Sequence, residues 1–299
     1  MTTARLTITV AAGVVAMLLS APASASEGGS DTIGKGSEGF IAGALPPDPG
    51  IYGVLYLNRY EADRFNDEHG NSSVPGFDLE AKVAAARLFY MSDIKIAHGR
   101  LGFFVIGSAA SLRLRSSAGR GSYEGFGDLT VGPVIGWIVG DFHPAIATDI
   151  VLPVGDYRAS RALNTGSNHY AFRPIVSLSY LPANGLEMSA KVTYTFNTRN
   201  KATDYSSGDL FHFDYSASYP VTRKLRLGVN GYYLRQTTDD RQYGAAVNVD
   251  GNRGRVAAIG PALHYDLGKI GFDLKALKEF DARNRAEGTS LWLKVVTRL

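Results

Sequence analysis

The sequence predicts an all-β protein, a single antiparallel up-and-down β-barrel of about 12 strands in the bacterial outer membrane. Three observations support this fold class. Segments of about 10 residues alternate apolar and polar side chains along most of the chain. Short and long polar linkers follow one another between these segments. The chain also begins with a segment that is typical of exported proteins.

The first 25 residues have the pattern of a secretory signal peptide. Arg5 precedes an apolar core over residues 6–19, and Ala23-Ser24-Ala25 then forms a small-residue cleavage site. A single transmembrane anchor is the alternative, but the core is shorter than the roughly 20 residues of a spanning helix. We therefore expect residues 1–25 to be removed, which leaves the periplasm, the outer membrane or secretion as destinations.

The overall composition excludes several classes of function. The formal net charge is +3, which is too small to indicate a nucleic-acid partner. The chain contains no cysteine, so disulfides, thiolate catalysis and cysteine-bound zinc are excluded. An apolar content of 45% resembles a soluble protein, but alternation also gives a membrane barrel near-neutral mean hydropathy.

Residues 26–46 differ from the chain that follows. They are rich in glycine and serine, and a Pro-Pro-Asp-Pro-Gly stretch at 46–50 separates them from the first alternating segment. This composition predicts a flexible N-terminal segment. It could remain a disordered leader, or it could fold into the lumen as a plug of a barrel formed by residues 47–299.

The alternation also predicts which face of each strand points inward. In residues 186–196, Glu187 and Lys191 share one face, and Met188 and Val192 share the other. Burying Glu187 and Lys191 unpaired in a dry core would cost several kcal/mol each. We therefore expect the polar face to line a lumen and the apolar face to contact lipid. The predicted strands are 50–60, 76–85, 101–115, 127–139, 142–152, 170–181, 186–196, 210–219, 225–236, 255–265, 270–280 and 290–299.

The linkers between these segments favour a membrane barrel over a soluble meander. Outer-membrane barrels combine short periplasmic turns with longer outside loops. The short linkers are 92–99, 140–141, 182–185, 220–224 and 266–269, and the long ones are 61–75, 116–124, 153–169, 197–208, 237–252 and 281–288. Aromatic residues beside both kinds of linker, such as Tyr180 and Phe196, fit the two interfacial girdles of a barrel in lipid.

The inward faces supply the candidate site residues. Their charges have mixed signs, which favours paired networks that brace the wall over a strongly ion-selective pore. A solute path between these side chains is the second interpretation. The lumen-lining candidates are Asp78, Glu80, Lys82, Asp128, Asp149, Arg173, Glu187, Lys191, His212, Asp214, Arg226, Asp273 and Lys275.

The sequence contains no complete catalytic or metal-binding motif. His143, Asp149, His212 and Ser216 could contribute to a serine-type site, but no motif joins them. His212 and Asp214 lack the further ligands that a metal ion needs. We therefore expect no enzyme activity, no cofactor and no metal.

Six short motifs occur in a familiar order, at residues 46–53, 125–133, 152–157, 164–174, 228–240 and 258–265. Together they resemble the bacterial outer-membrane family of meta-pathway phenol-degradation proteins. The resemblance covers essentially the whole chain after residue 25. It implies a passive channel for small hydrophobic or aromatic compounds, with outer-membrane lipid and the barrel-assembly machinery as partners. It supplies no catalytic residues.

Two other functions stay open at this point. The barrel could be a structural or surface-interaction protein with a sealed lumen, whose long loops bind partners. Less expected is an outer-membrane enzyme that modifies lipid.

Overall fold

The computed structural model describes residues 31–299. The signal peptide predicted over residues 1–25 lies outside these residues, and so does the start of the N-terminal segment, up to residue 30. Within residues 31–299, no helix is both long and apolar enough to cross a membrane.

The chain folds as a closed antiparallel barrel of 12 strands, which confirms the predicted fold class. Each strand pairs with the next along the chain, and β1 pairs with β12 to close the barrel. The strands are β1 Gly50–Asn66, β2 Asp78–Ile96, β3 Gly99–Ser116, β4 Gly119–Phe126 with Leu129–Gly136, β5 Phe142–Leu152, β6 Ala171–Tyr180, β7 Glu187–Asn197, β8 Leu210–Pro220, β9 Leu225–Gln236, β10 Arg255–Asp266, β11 Ile270–Arg283 and β12 Arg285–Arg298.

The two faces of the wall divide as the alternation predicts. On β7, Glu187, Ser189 and Thr193 are buried inside, whereas Met188 and Phe196 are exposed outside. A soluble fold would bury such a continuous apolar surface, so the exposed belt marks the part of the barrel in lipid. Further members of this belt are Ile51, Leu55, Leu57, Leu88, Phe103, Ile146, Ile150, Phe172, Val176, Leu227, Val229, Ile259, Leu274 and Leu291. The protein is an outer-membrane β-barrel.

Some strands continue well beyond the bilayer. β2 has 19 residues, whereas a tilted strand needs about 9–11 to cross the hydrocarbon. The linkers predicted at 116–124 and 281–288 are wrong for this reason. Most of the first is the outer half of β4, and the second is a hairpin of β11 and β12 that turns at Asn284. Long outer connections remain at 67–77, 153–170, 198–209 and 237–254.

The projecting part of β2 also corrects a site prediction. Asp78, Glu80 and Lys82 lie on the face opposite to the cavity-lining residues of β2, so they point out of the barrel. Glu80 forms ion pairs there with Lys82 at 2.9 Å and with Arg113 at 3.1 Å. Above the bilayer both faces of a strand can meet water, so a polar face is no longer required to point inward.

Prolines inside the strands interrupt pairing without shifting register. Beside Pro133 and Pro261, pairing with the following strand skips two residues and then resumes in the same register. Gly132 and Gly260 precede these prolines. A Cβ at either glycine would come within 2.0 Å or 1.7 Å of a backbone oxygen of that neighbouring strand. The Gly-Pro pairs therefore allow close strand approach where one ladder bond is missing.

Candidate functional site

The described part of the N-terminal segment lies inside the barrel. We call residues 31–45 the luminal segment. Its first residues contact the outer half of the wall, and its last residues contact the periplasmic ends of β4, β5 and β6. The chain therefore crosses the lumen towards the periplasm before it turns at residues 46–49 and enters β1. This path places both charged and apolar side chains of the segment against the wall.

Ion pairs and hydrogen bonds hold the outer end of the luminal segment. Asp31 forms a buried ion pair with Arg285 of β12. The carbonyl oxygen of Thr32 accepts a hydrogen bond of 2.6 Å from Arg173. Gly36 donates its backbone N–H to Asp214 over 3.1 Å, and its φ of 71° lies in the left-handed region that favours glycine.

Glu38 lies at the centre of a cluster of wall cations. Its carboxylate is 2.8 Å from Lys191, 3.7 Å from Arg87 and 4.0 Å from Lys294, while its backbone oxygen accepts a hydrogen bond from Lys275. Positive charge thus surrounds the Glu38 carboxylate, which favours its ionised form.

The inner end of the segment is tightly packed against the wall. Ile41 donates its N–H to Glu187 at 3.0 Å, and Gly43 donates to Ser179 at 2.8 Å. A Cβ at Gly43 would lie 2.4 Å from the carbonyl oxygen of His143, which leaves room only for glycine. Leu45 then packs on an apolar cluster formed by Phe89, Met91, Phe104, Val134 and Ala145.

A cavity of about 430 Å³ remains in the lumen beside the segment. This volume lies within the roughly 300–1,000 Å³ typical of small-molecule sites. The charged residues of its lining include Arg87, Arg173 and Lys191. Apart from Arg87, the lining from β2 and β3 is largely aliphatic, and we call it the aliphatic side; it includes Leu79, Ala81, Val83, Ala85, Ile106, Ala110 and Leu112.

Ten of the 13 lumen candidates lie on the inner face of the wall. Asp128, Asp149, Arg173, Lys191, His212 and Asp214 line the cavity. Glu187, Asp273 and Lys275 are buried beside the luminal segment. Arg226 donates a hydrogen bond to Ser218, which in turn donates to Glu187. Asp78, Glu80 and Lys82 are the three that point outward.

Sequence reasoning missed Glu38 and two of the cations around it, Arg87 and Lys294. Arg87 lies in a stretch of β2 where both alternating phases contain apolar residues, so the pattern does not assign its face. For Glu38, a usable signal is the closely spaced glycines at 34, 36, 39 and 43. At Gly36, Gly39 and Gly43 a Cβ would come within 3 Å of wall atoms.

The side chains considered for catalysis are not joined to one another. Asp149 pairs with Arg173 at 2.5 Å, and Ser216 donates to Glu187 at 2.8 Å. His212 is buried with its Nε2 3.6 Å from Asp214. Over residues 31–299, no group of three or more His, Asp or Glu side chains is arranged to hold a metal ion.

Asp128 has a structural role at a break in the wall. It lies between the two halves of β4, and the outer half pairs only with β3. One oxygen of Asp128 accepts the N–H of Gly155 at 2.9 Å, and the other accepts the N–H and hydroxyl of Ser167 at 2.8 and 2.5 Å. The loop at 153–170 therefore fills the space beside the outer half of β4.

We expect Asp128→Ala to loosen this loop, because it leaves two backbone N–H groups without their acceptor at a cost of about 1–3 kcal/mol each. Trypsin added to intact cells should then cleave after Arg158 faster than in the wild type. Glu124→Ala is the matched control, since Glu124 lies on the outer half of β4 but bonds to Ser111. Equal cleavage in both variants would show that Asp128 does not anchor the loop.

The comparisons with known proteins agree with this architecture. Residues 62–295 match the sequence profile of a family described as "Putative MetA-pathway of phenol degradation". The chain belongs to this phenol-degradation family. The match confirms the resemblance seen in the six motifs. No curated protein sequence matches the chain.

Solved structures similar to this family member include outer-membrane channels, porins and the β-domain of an autotransporter. An outer-membrane channel from Pseudomonas putida has a TM-score of 0.74 at 16% identity, and the match covers 87% of this chain and 98% of that one. The CymD monoaromatic hydrocarbon channel has a TM-score of 0.47 at 8% identity, over 93% and 97% of the two chains. The KdgM porin has a TM-score of 0.46 at 10% identity, over 82% and 99%.

Proposed function

We propose that this barrel is a passive route by which small hydrophobic or aromatic compounds cross the outer membrane. It works without energy coupling and without covalent chemistry. Outer-membrane lipid surrounds it, and the barrel-assembly machinery inserts it. Membership of the phenol-degradation family supports an aromatic solute.

The aliphatic side of the cavity is the observation on which the proposal rests. Leu79, Val83 and Ile106 point into the lumen from β2 and β3, where a water-filled pore would present polar groups. An apolar solute that covers such a surface gains roughly 25 cal/mol per Å² removed from water. Some of the charged lining residues pair with one another, as Asp149 does with Arg173.

Replacing an aliphatic cavity residue by a polar one is expected to slow uptake. Val83→Asn places an amide on the aliphatic side, and the loss of about 1 kcal/mol of apolar contact predicts a roughly fivefold drop in toluene uptake. The assay is accumulation of labelled toluene by cells under limiting supply, at equal amounts of protein in the outer membrane. Cells that lack the protein give the background.

Lys82→Gln is the control for this variant. Lys82 is next to Val83 in the chain but points out of the barrel and is exposed. Its replacement should leave uptake unchanged. Equal uptake by cells with and without the wild-type protein would contradict the proposed route altogether.

A structural or surface-interaction barrel is the second candidate. The luminal segment favours it, because its ion pairs with Arg285, Lys191 and Arg87 fasten it inside the wall. A sealed barrel would give neither single-channel conductance nor liposome swelling. Detectable solute flux through the purified protein would favour the channel.

A further inference from the structure

The four cations around Glu38 come from four different strands. Arg87 is on β2, Lys191 on β7, Lys275 on β11 and Lys294 on β12. Lys275 is 2% exposed, and Glu38 is 7% exposed. Strands that are far apart in the sequence thus direct basic side chains towards Glu38. The wall presents this arrangement, and the luminal segment supplies the carboxylate at its centre.

The wall neutralises these cations only in part. Among the described residues, Glu38 is the only carboxylate within ion-pair distance of Lys191 or Arg87. Lys294 has a second partner, Asp273, at 3.6 Å, and Asp273 also accepts a bond from His264. The Nε of Arg87 is buried and has no hydrogen-bond acceptor in the described part of the chain. Lys275 is buried and the other three cations are partly buried, so leaving Lys191 and Arg87 without an anion would be costly.

The cluster adjoins the cavity. Arg87, Lys191 and Glu38 all line it, and Ala85 and Ile106 of its aliphatic side lie on β2 and β3 near Arg87. The ring of Phe104 also lies 4.9 Å from the guanidinium carbon of Arg87. A molecule with an aromatic ring and one carboxylate would therefore meet an apolar surface and a cationic end in one space.

We propose that Arg87, Lys191, Lys275 and Lys294 form a binding site for the carboxylate of an aromatic acid, and that Glu38 occupies this site as an internal competitor. This inference rests on the proposed function and extends its solute class from neutral compounds to aromatic carboxylates. When an aromatic acid binds, its carboxylate replaces that of Glu38 on Lys191 and Arg87. No covalent bond forms, and the luminal segment is freed from the wall at Glu38.

The test is titration calorimetry of benzoate, with benzyl alcohol as a neutral match, on the full-length protein in detergent. A tethered carboxylate competes at an effective concentration in the mM range, so Glu38→Gln should tighten benzoate binding by roughly tenfold or more. Lys191→Gln should weaken it, because that site loses its nearest cation. Benzyl alcohol should bind all variants equally.

Asp31→Asn is the matched control. It also removes one carboxylate from the luminal segment, but its partners are Arg285 and Lys35 rather than the cation cluster. Its benzoate affinity should equal that of the wild type. Gel mobility before and after heating verifies that each variant is a folded barrel.

Two outcomes would overturn the inference. One is a benzoate affinity of Glu38→Gln that is no higher than that of the wild type. The other is an equal rise in Asp31→Asn or for benzyl alcohol, which would report general loosening of the segment. If benzyl alcohol binds and neutral aromatics enter cells, but benzoate affinity is the same in Glu38→Gln and the wild type, only this inference fails. If neutral aromatics neither bind nor enter, the proposed function fails as well.

Discussion

Toluene uptake is expected to fall to the level of cells without the protein when cysteines at positions 39 and 273 are oxidised to a disulfide. The ideal Cβ position at Gly39 lies 3.7 Å from the Cβ of Asp273, within the roughly 3.5–4.5 Å typical of disulfides. The bond would fix the luminal segment to β11. Because the segment crosses the lumen, a solute that must move it can no longer pass, and a reducing agent should restore uptake.

The double variant has a close control. Gly39→Cys/Asp273→Ser loses the same carboxylate and gains the same first cysteine, but it cannot form the bond. The chain has no other cysteine, so oxidation has no second target. Equal uptake by the oxidised and reduced double variant would mean that solutes pass the segment without displacing it.

The fold could be predicted from the sequence because the alternation is regular where a strand crosses the bilayer. In β8, Phe213 and Tyr215 face lipid while His212 and Asp214 are buried inside. Hydrocarbon imposes this division on every crossing strand, so the pattern indicates both strand and face. The strand ends were harder to predict, since polar pairs such as Ser111–Glu124 form outside the bilayer and resemble loop composition.

The candidate site could be predicted only in part. Single strands indicated buried charges such as Asp149 and Lys275 but not their partners, because ion pairs join strands far apart in the chain. Glu38 and Lys191 are separated by 153 positions. The reversed face of β2 was missed for a different reason. Leu79 and Val83 point inward above the bilayer, where lipid no longer fixes the face of a strand.

The largest loss of stability is expected from Arg173→Ala. Arg173 donates to both oxygens of Asp149, at 2.5 and 3.1 Å, and both residues are buried. Removing one partner of such a pair typically costs about 3–5 kcal/mol, because the remaining charge is left uncompensated. Urea unfolding of the detergent-solubilised protein would measure the change in the free energy of unfolding.

The double variant Arg173→Met/Asp149→Leu separates this effect from the loss of the pair itself. Replacing both charges with apolar groups leaves no unpaired ion, so most of the stability should return. Both variants lose the bond to the carbonyl of Thr32, and both should expose the outer end of the luminal segment to protease. If Arg173→Ala costs less than about 1 kcal/mol, as for an exposed pair, then water reaches Asp149. The lumen would in that case be hydrated at this level, and a water-filled path would gain support over a sealed barrel.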